Sequence, residues 1–448
     1  MGKLALAWTA VFVVALPRDA AAEETGPRPD LAASAERFVA RLEQGDFAGA
    51  AKDFDQTMAR AMPPEKLEGA WKSIVAQSGP LKRRARVDVV KVPKYDVAVV
   101  TCEFEKSTLD VKVVYDAEGK VTGLWFAPSE SAAKCKPPPY ADQDSFEEKE
   151  IRFGSWLWAL PGTLAIPRGD GPFPAVVLVH GSGPNDRDET IGPNKPFRDL
   201  AWGLASQGIA VFRYEKRTKK HALKLAAIRE SVTVKEETID DALAAVALLR
   251  KTDRIDPHRV FLLGHSLGGM LVPRIAARDP EIAGFILLAA TSRPLEDVIL
   301  AQRRWLFLLD GELSEQEQTT LQQIEEQVAR VKDPQLSPQT PAADLPLGIH
   351  PAYWLDLRGY DPPEAAKHLR RPLLVLHGQR DYQVTMEDFD RWRAALSARD
   401  HVQFKLYPKC NHLFVEGAGQ SRPAEYQTPG NVARPVVDDI AHWIGEQR

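Results

Sequence analysis

The sequence predicts an α/β protein: a mostly parallel sheet with helices on both faces, a helical cap insertion, and a small α+β domain in front. Three observations carry this. Short apolar runs at 175–179, 209–212, 260–263, 285–289, 373–376 and 402–406 alternate with amphipathic stretches, and strands that are apolar throughout are buried on both faces of a parallel sheet. Roughly eighty residues separate the fourth run from the fifth, too many for one crossover helix, which marks the insertion. From 30 to about 129 helical periodicity gives way to two-residue alternation, the period of half-buried antiparallel strands.

With 448 residues, 44% of them hydrophobic and 27% charged, the chain is long enough for two soluble domains. Its formal charge of −4 offers no basic face for nucleic acid. The opening residues read as an export signal over 1–22: Lys3 supplies a positive start, 4–16 an apolar run too short for a stable membrane span, and Ala20-Ala21-Ala22 a cleavage site. An uncleaved tethering helix is the alternative. No cysteine follows the run to carry a lipid anchor. Exported, periplasmic or secreted, is the expected location, without membrane insertion.

In the first domain, 30–129, Ala33, Phe38, Val39 and Leu42 recur at helical spacing, Gly45-Asp46 interrupts, and 47–62 and 65–77 continue as helices. After Gly79-Pro80, Val87, Val89, Val97, Val99, Val111, Val113 and Tyr115 alternate with polar residues. A turn at 116–119 leads to a last strand at Leu124-Trp125-Phe126. The basic cluster Lys82-Arg83-Arg84 with Arg86 reads as a solvated strand edge, and the domain holds no catalytic set. Of the three cysteines, Cys102 and Cys135 either pair or stay reduced, while Cys410 reads as a small buried hydrophobe. A linker, 130–145, is stiffened by Pro137-Pro138-Pro139.

The second domain, 146–448, places helices near 197–206, 234–249, 270–278, 386–398 and 432–444, and antiparallel edge strands within 150–166. The cap, about 293–366, contains helical stretches at 294–309 and 314–331 and a proline-rich loop at 334–351. Its Trp305, Phe307, Tyr353 and Trp354 are candidates to line a substrate pocket, the other reading being that they form the core of the cap.

The chemistry gathers around Gly264-His265-Ser266-Leu267-Gly268, where an apolar strand stops and a helix begins. Glycines two residues to either side permit a turn sharp enough to lift the Ser266 hydroxyl above the sheet. The Leu267 amide is left free to face an oxyanion at the positive end of the new helix. Serine needs a base and the base an orienting carboxylate. Asp381 follows the strand at 373–376, and His412 follows the strand at 402–406. His265 is expected to point into the fold, His377 stands within a strand end, and His401 and His442 lie outside any suitable loop. Glu296 and Asp297 are the rival acids, but belong to a helix entering the cap. The turn His180-Gly181-Ser182-Gly183 offers the second oxyanion amide, from Ser182, with Gly181 as its substitute. The charge-dense 185–189 either holds this loop by ion pairs or is a hydrated turn.

The run 180–189, the elbow at 264–269, the segment 372–383 and Asn411-His412, with the chain order Ser266, Asp381, His412, resemble the bacterial α/β-hydrolases related to prolyl oligopeptidase-type and dienelactone-hydrolase-type enzymes. The likeness runs from about 146 to the end, and the first domain resembles the nuclear-transport-factor and cystatin-like domain that precedes many of them. It implies a serine carboxylic-ester hydrolase acting on a small-molecule ester, with no metal and no cofactor. A peptidase or acyltransferase would use the same three residues, although the propeller of true oligopeptidases is missing. A non-catalytic binding protein is the remaining alternative.

Overall fold

The computed structural model describes residues 30–92, 95–105, 107–129 and 136–447. The expected signal segment 1–22, residues 130–135 of the linker, and with them Cys135, lie outside the described residues. The chain divides into two compact units, Met1–Lys134 and Cys135–Arg448.

The first unit packs four helices, α1 (Leu31–Glu43), α2 (Phe47–Ala51), α3 (Gln56–Ala61) and α4 (Pro64–Ser78), on an antiparallel sheet. Its strands β1 (Leu81–Val92), β2 (Tyr95–Phe104), β3 (Thr108–Tyr115) and β4 (Val121–Pro128) pair in sequence order. The helix read over 47–62 is two helices. Asp53 and Asp55 leave the helical path to bond the backbone of Val121, and the Asp55 side chain caps α3 by accepting from the Met58 amide. β1 is an edge strand on which Val89 and Val90 are exposed. Its basic cluster is paired rather than merely solvated, Arg83 with Glu103, Arg84 with Glu43 and Arg86 with Asp88. Cys102 is buried in the core of this unit.

The second unit is built on an eight-stranded sheet. An antiparallel pair, β5 (Phe146–Phe153) and β6 (Leu160–Pro167), opens it and forms one edge, as 150–166 suggested. Next come β7 (Phe173–Val179), α5 (Pro196–Ala205), β8 (Ala210–Tyr214), two short helices α6 (Arg217–Lys220) and α7 (Ala222–Ala227), and α8 (Asp240–Leu249). β9 (Ile255–His265), α9 (Leu267–Ala276) and β10 (Phe285–Leu288) complete the middle of the sheet. The cap contributes α10 (Leu295–Phe307), α11 (Glu315–Lys332), α12 (Pro351–Leu357) and α13 (Pro362–Ala366), after which β11 (Leu373–Gly378), α14 (Met386–Leu396), β12 (Val402–Tyr407) and α15 (Arg434–Glu446) close the chain. The strand order is β12-β11-β10-β9-β7-β8-β6-β5, and every pairing from β12 to β8 is parallel.

Alternate residues of each central strand enter opposite cores. Ala175, Val177 and Val179 of β7 join Val260 and Leu262 of β9 on the face covered by α8, α9 and α14. Val176, Leu178, Phe261 and Leu263 face α5 and α15. Burying both faces requires the continuous apolar runs seen in the sequence. β12 departs from this reading: it is the opposite edge strand, with Leu406 exposed. Because β9, β10 and β11 run in register, with Leu288 beside both His265 and Leu376, their carboxyl ends form one rim.

Candidate active site

Three loops from that rim build the site. The first is the turn between β9 and α9, where Ser266 has φ 53° and ψ −118°, a backbone conformation that costs of order 1–3 kcal/mol and persists only when its surroundings impose it. They do so by contact. A side chain at Gly264 would meet the backbone of Gly268 at 2.5 Å, and one at Gly268 would meet the Val179 carbonyl at 2.4 Å. The turn is therefore packed backbone against backbone, and the Ser266 amide bonds the Leu288 carbonyl at 2.9 Å.

The second and third loops follow β11 and β12. His412 Nδ1 donates to Asp381 Oδ2 at 2.6 Å, both groups being buried. The other oxygen, Asp381 Oδ1, accepts the amides of Gln383 at 2.8 Å and Val384 at 3.1 Å, so the carboxylate is held from two sides. Glu296 and Asp297 stand instead in the first turn of α10, where Asp297 pairs with Lys332 of the cap. The Asp381 and His412 loops meet at Gly378, where any side chain would strike the Cys410 carbonyl at 2.5 Å. Beside them, Arg380 bonds the carbonyls of Lys409, Ala418 and Gly419, and Asn411 Oδ1 accepts the Leu413 and Val415 amides.

Among the described residues no hydrogen bond joins Ser266 Oγ to His412. The bridge between their loops is His265. Its Nε2–H donates to the His412 carbonyl at 3.0 Å, and the two rings lie with centroids 4.6 Å apart. Its Nδ1 faces Glu189 Oε2 at 2.8 Å, an ion-pair contact off the line of an ideal hydrogen bond, with both side chains almost wholly buried. A carbonyl and a carboxylate are both acceptors, so His265 fits this place as an imidazolium. Burial opposes its charge, and Glu189 more than reverses that, holding the His265 pKa above the ordinary imidazole value. For Glu189 burial again works against charge, and His265 overcomes it, leaving the carboxyl below its usual range. His180, also buried but with no such contact, is pushed down to about 4 and stays neutral.

Glu189 also reaches the oxyanion loop. Its Oε1 accepts the Gly181 amide at 2.7 Å, which overturns the reading of Gly181 as a substitute oxyanion donor: that N–H is already spent on a carboxylate. The amides of Ser182 and Leu267 have no protein acceptor among the described residues. Gly181 packs against the nucleophile, since a side chain there would lie 3.1 Å from Ser266 Cβ. The charged run beyond it is ion-paired, and its pairs reach well outside the run. Arg187 meets Glu150 and Glu215, and Asp188 meets Lys195 and Arg213.

Ser182 and Leu267 border a cavity of about 850 Å³. Leu225, Val232, Leu295 and Ile349 make it largely apolar, with Glu237 and Tyr353 among its lining residues. Of the four cap aromatics only Tyr353 lines it. Trp354 is fully buried in the cap core with Val331, Leu336 and Leu345. Trp305 stacks on Tyr382 at 4.3 Å, bracing the Asp381 loop, and Phe307 is buried at the end of α10. Helical periodicity shows which face is apolar but not whether a helix or a ligand covers it. Glu189 belongs to the run 185–189, and of its two readings the structure bears out the one in which the run holds this loop; Lys216 carries no such signal, because a charge in a polar run reads as solvated. No group of metal-ligating side chains occurs among the described residues.

A family model described as serine aminopeptidase, S33, matches residues 172–416, and a model described as a protein of unknown function, DUF3887, matches 35–124. The esterase EstD of Thermotoga maritima is 39% identical over 407 residues, covering 91% of this chain and 93% of that protein. Among solved structures, Est1E of Butyrivibrio proteoclasticus aligns with a TM-score of 0.44 and 16% identity, over 66% of this chain and 98% of the other. An esterase of Pyrococcus furiosus aligns with a TM-score of 0.41 and 15% identity, over 70% and 98%. With a parallel sheet carrying a serine elbow at its carboxyl rim, and a family model spanning more than half its length, the chain belongs to the hydrolases of the α/β-hydrolase fold grouped as the serine aminopeptidase S33 family.

Proposed function

We propose that this chain is an exported serine hydrolase of carboxylic esters, working through Ser266, His412 and Asp381. Ser266 Oγ attacks the ester carbonyl while His412 Nε2 takes its proton and passes it to the leaving alcohol. Asp381, fixed by the Gln383 and Val384 amides, orients the ring and stabilises its charged form. The Ser182 and Leu267 amides hold the oxyanion, and water then releases the acyl group from the serine. The hydrogen bond from serine to histidine forms when substrate enters, as such contacts commonly tighten only in the complex.

The observation that carries the reading is the buried 2.6 Å bond between His412 and Asp381 at the rim that also bears the strained serine. The likeness to an esterase over nine-tenths of the chain supports ester substrates, and the largely apolar cavity beside the two amides suits an apolar acyl or alkyl group. Ser266→Ala should lower turnover of p-nitrophenyl butyrate by about three orders of magnitude or more. Undiminished turnover in that variant removes the proposal. The family's description favours a second reading, an aminopeptidase; aminoacyl p-nitroanilides assayed beside the ester decide it, esters being the better substrates expected here.

Export rests on Lys3, the apolar run 4–16 and Ala20-Ala21-Ala22. Protein produced in a bacterial host with two membranes should be recovered outside the cytoplasm with its amino terminus at about residue 23. Recovery of the intact chain from the cytoplasm would refute it.

A further inference from the structure

The peptide that supplies the Ser182 amide has a second end. Its carbonyl, that of Gly181, accepts a hydrogen bond from Lys216 Nζ at 2.7 Å. Lys216 is 2% exposed and lies two residues beyond the end of β8. Its ammonium also donates to Glu237 Oε1 at 2.6 Å, and Glu237 Oε2 accepts the Tyr353 hydroxyl at 2.7 Å. Glu237 sits in one turn of π-helix, Lys235–Ile239, the kind of widened turn that gathers at functional sites. An unbroken chain thus runs from a cap residue lining the cavity, through two buried charges, to the amide that faces the oxyanion.

Satisfying the carbonyl does not require a charge. Asn185 Nδ2 already donates to the same oxygen at 3.3 Å, and the Lys216 backbone amide already ties this loop down by bonding the Asn185 carbonyl at 3.0 Å. Burying an ammonium in addition is expensive unless its charge is used or fully matched. We propose that Lys216 is a positioning residue for the oxyanion hole: its ammonium polarises the Gly181–Ser182 peptide so that the Ser182 N–H is a stronger, fixed donor, and Glu237 with Tyr353 sets where that ammonium sits. A charge-assisted bond at a carbonyl strengthens the donor at the far end of the same amide. The gain falls on the transition state, where the oxyanion is charged, and not on the neutral substrate. Tyr353 makes the cap part of the device, because a group entering the cavity meets the same residue that holds Glu237.

The inference rests on the serine-hydrolase reading, and the full-length protein separates the two. Turnover of p-nitrophenyl butyrate, normalised to sites titrated with a fluorophosphonate, is measured beside the inhibition constant of an alkyl trifluoromethyl ketone, which adds to the serine and places an oxyanion in the hole. Lys216→Met should lower kcat about 100-fold with KM within about threefold, and should weaken the ketone by a similar factor. Tyr353→Phe, which removes one hydroxyl and leaves the fold intact, should lower kcat about three- to tenfold with a parallel change for the ketone. If Lys216→Met does not fold, Tyr353→Phe and Glu237→Gln decide alone. Unchanged kcat per titrated site, or a fall in kcat while the ketone binds as before, overturns the proposal. If Ser266→Ala is inert while these variants match the parent, the hydrolase reading stands and only the polarised peptide falls.

Discussion

At the scale of single residues, the centre is organised by two buried charge pairs on either side of Gly181. Glu189 with His265 holds its amide and Lys216 with Glu237 holds its carbonyl. Each pair hides from water what would normally be solvated, so removing one partner costs about 3–5 kcal/mol. The first pair also titrates. The His265 pKa is raised, so its contribution is complete below the unfolded value of about 6.5 and is lost as pH climbs through the higher folded value. The Glu189 pKa is lowered, so its contribution is complete above about 4.3 and is lost as pH falls through the folded value. Melting temperature measured from about pH 5 to about pH 9 should decline on the alkaline side, and His265→Asn should flatten that decline relative to the parent. Parallel alkaline limbs in the two proteins would show that His265 is not charged in the fold.

At the scale of elements, what could be read from the chain follows from what each element buries. The central strands were legible because a surface packed on both sides leaves no polar position, as Val260-Phe261-Leu262-Leu263 shows. The elbow was legible because Gly264 and Gly268 are demanded by a local clash. Asp381 and His412 were found from their places after strands, which is a matter of topology more than of composition. Elements that depend on a distant partner were misread or left open. The break between α2 and α3 is imposed by Val121 of β4, far along the chain. Trp305 and Trp354 lie on apolar helix faces whose covering is Tyr382 in one case and the cap's own core in the other. Lys216 and Glu237 carry charges whose burial no local pattern announces.

At the scale of the molecule, the two units have separate cores, and each residue assigned to the reaction lies in the second. A chain beginning at residue 136 should melt cooperatively and keep ester turnover within about threefold of the full-length protein. A folded but inactive fragment would show that the first unit takes part in the reaction. Within the second unit, the cap departs after β10 and returns at β11, which lie side by side in the sheet. Ser182, Ser266, Leu267, Asp381 and His412 all stand outside it. A segment joined at two adjoining strands can be exchanged between genes, or grow by small insertions, without shifting the register of anything else. Such an exchange still reaches the reaction wherever it alters Tyr353 or Trp305, because those two side chains carry the insertion's contacts to Glu237 and to the Asp381 loop.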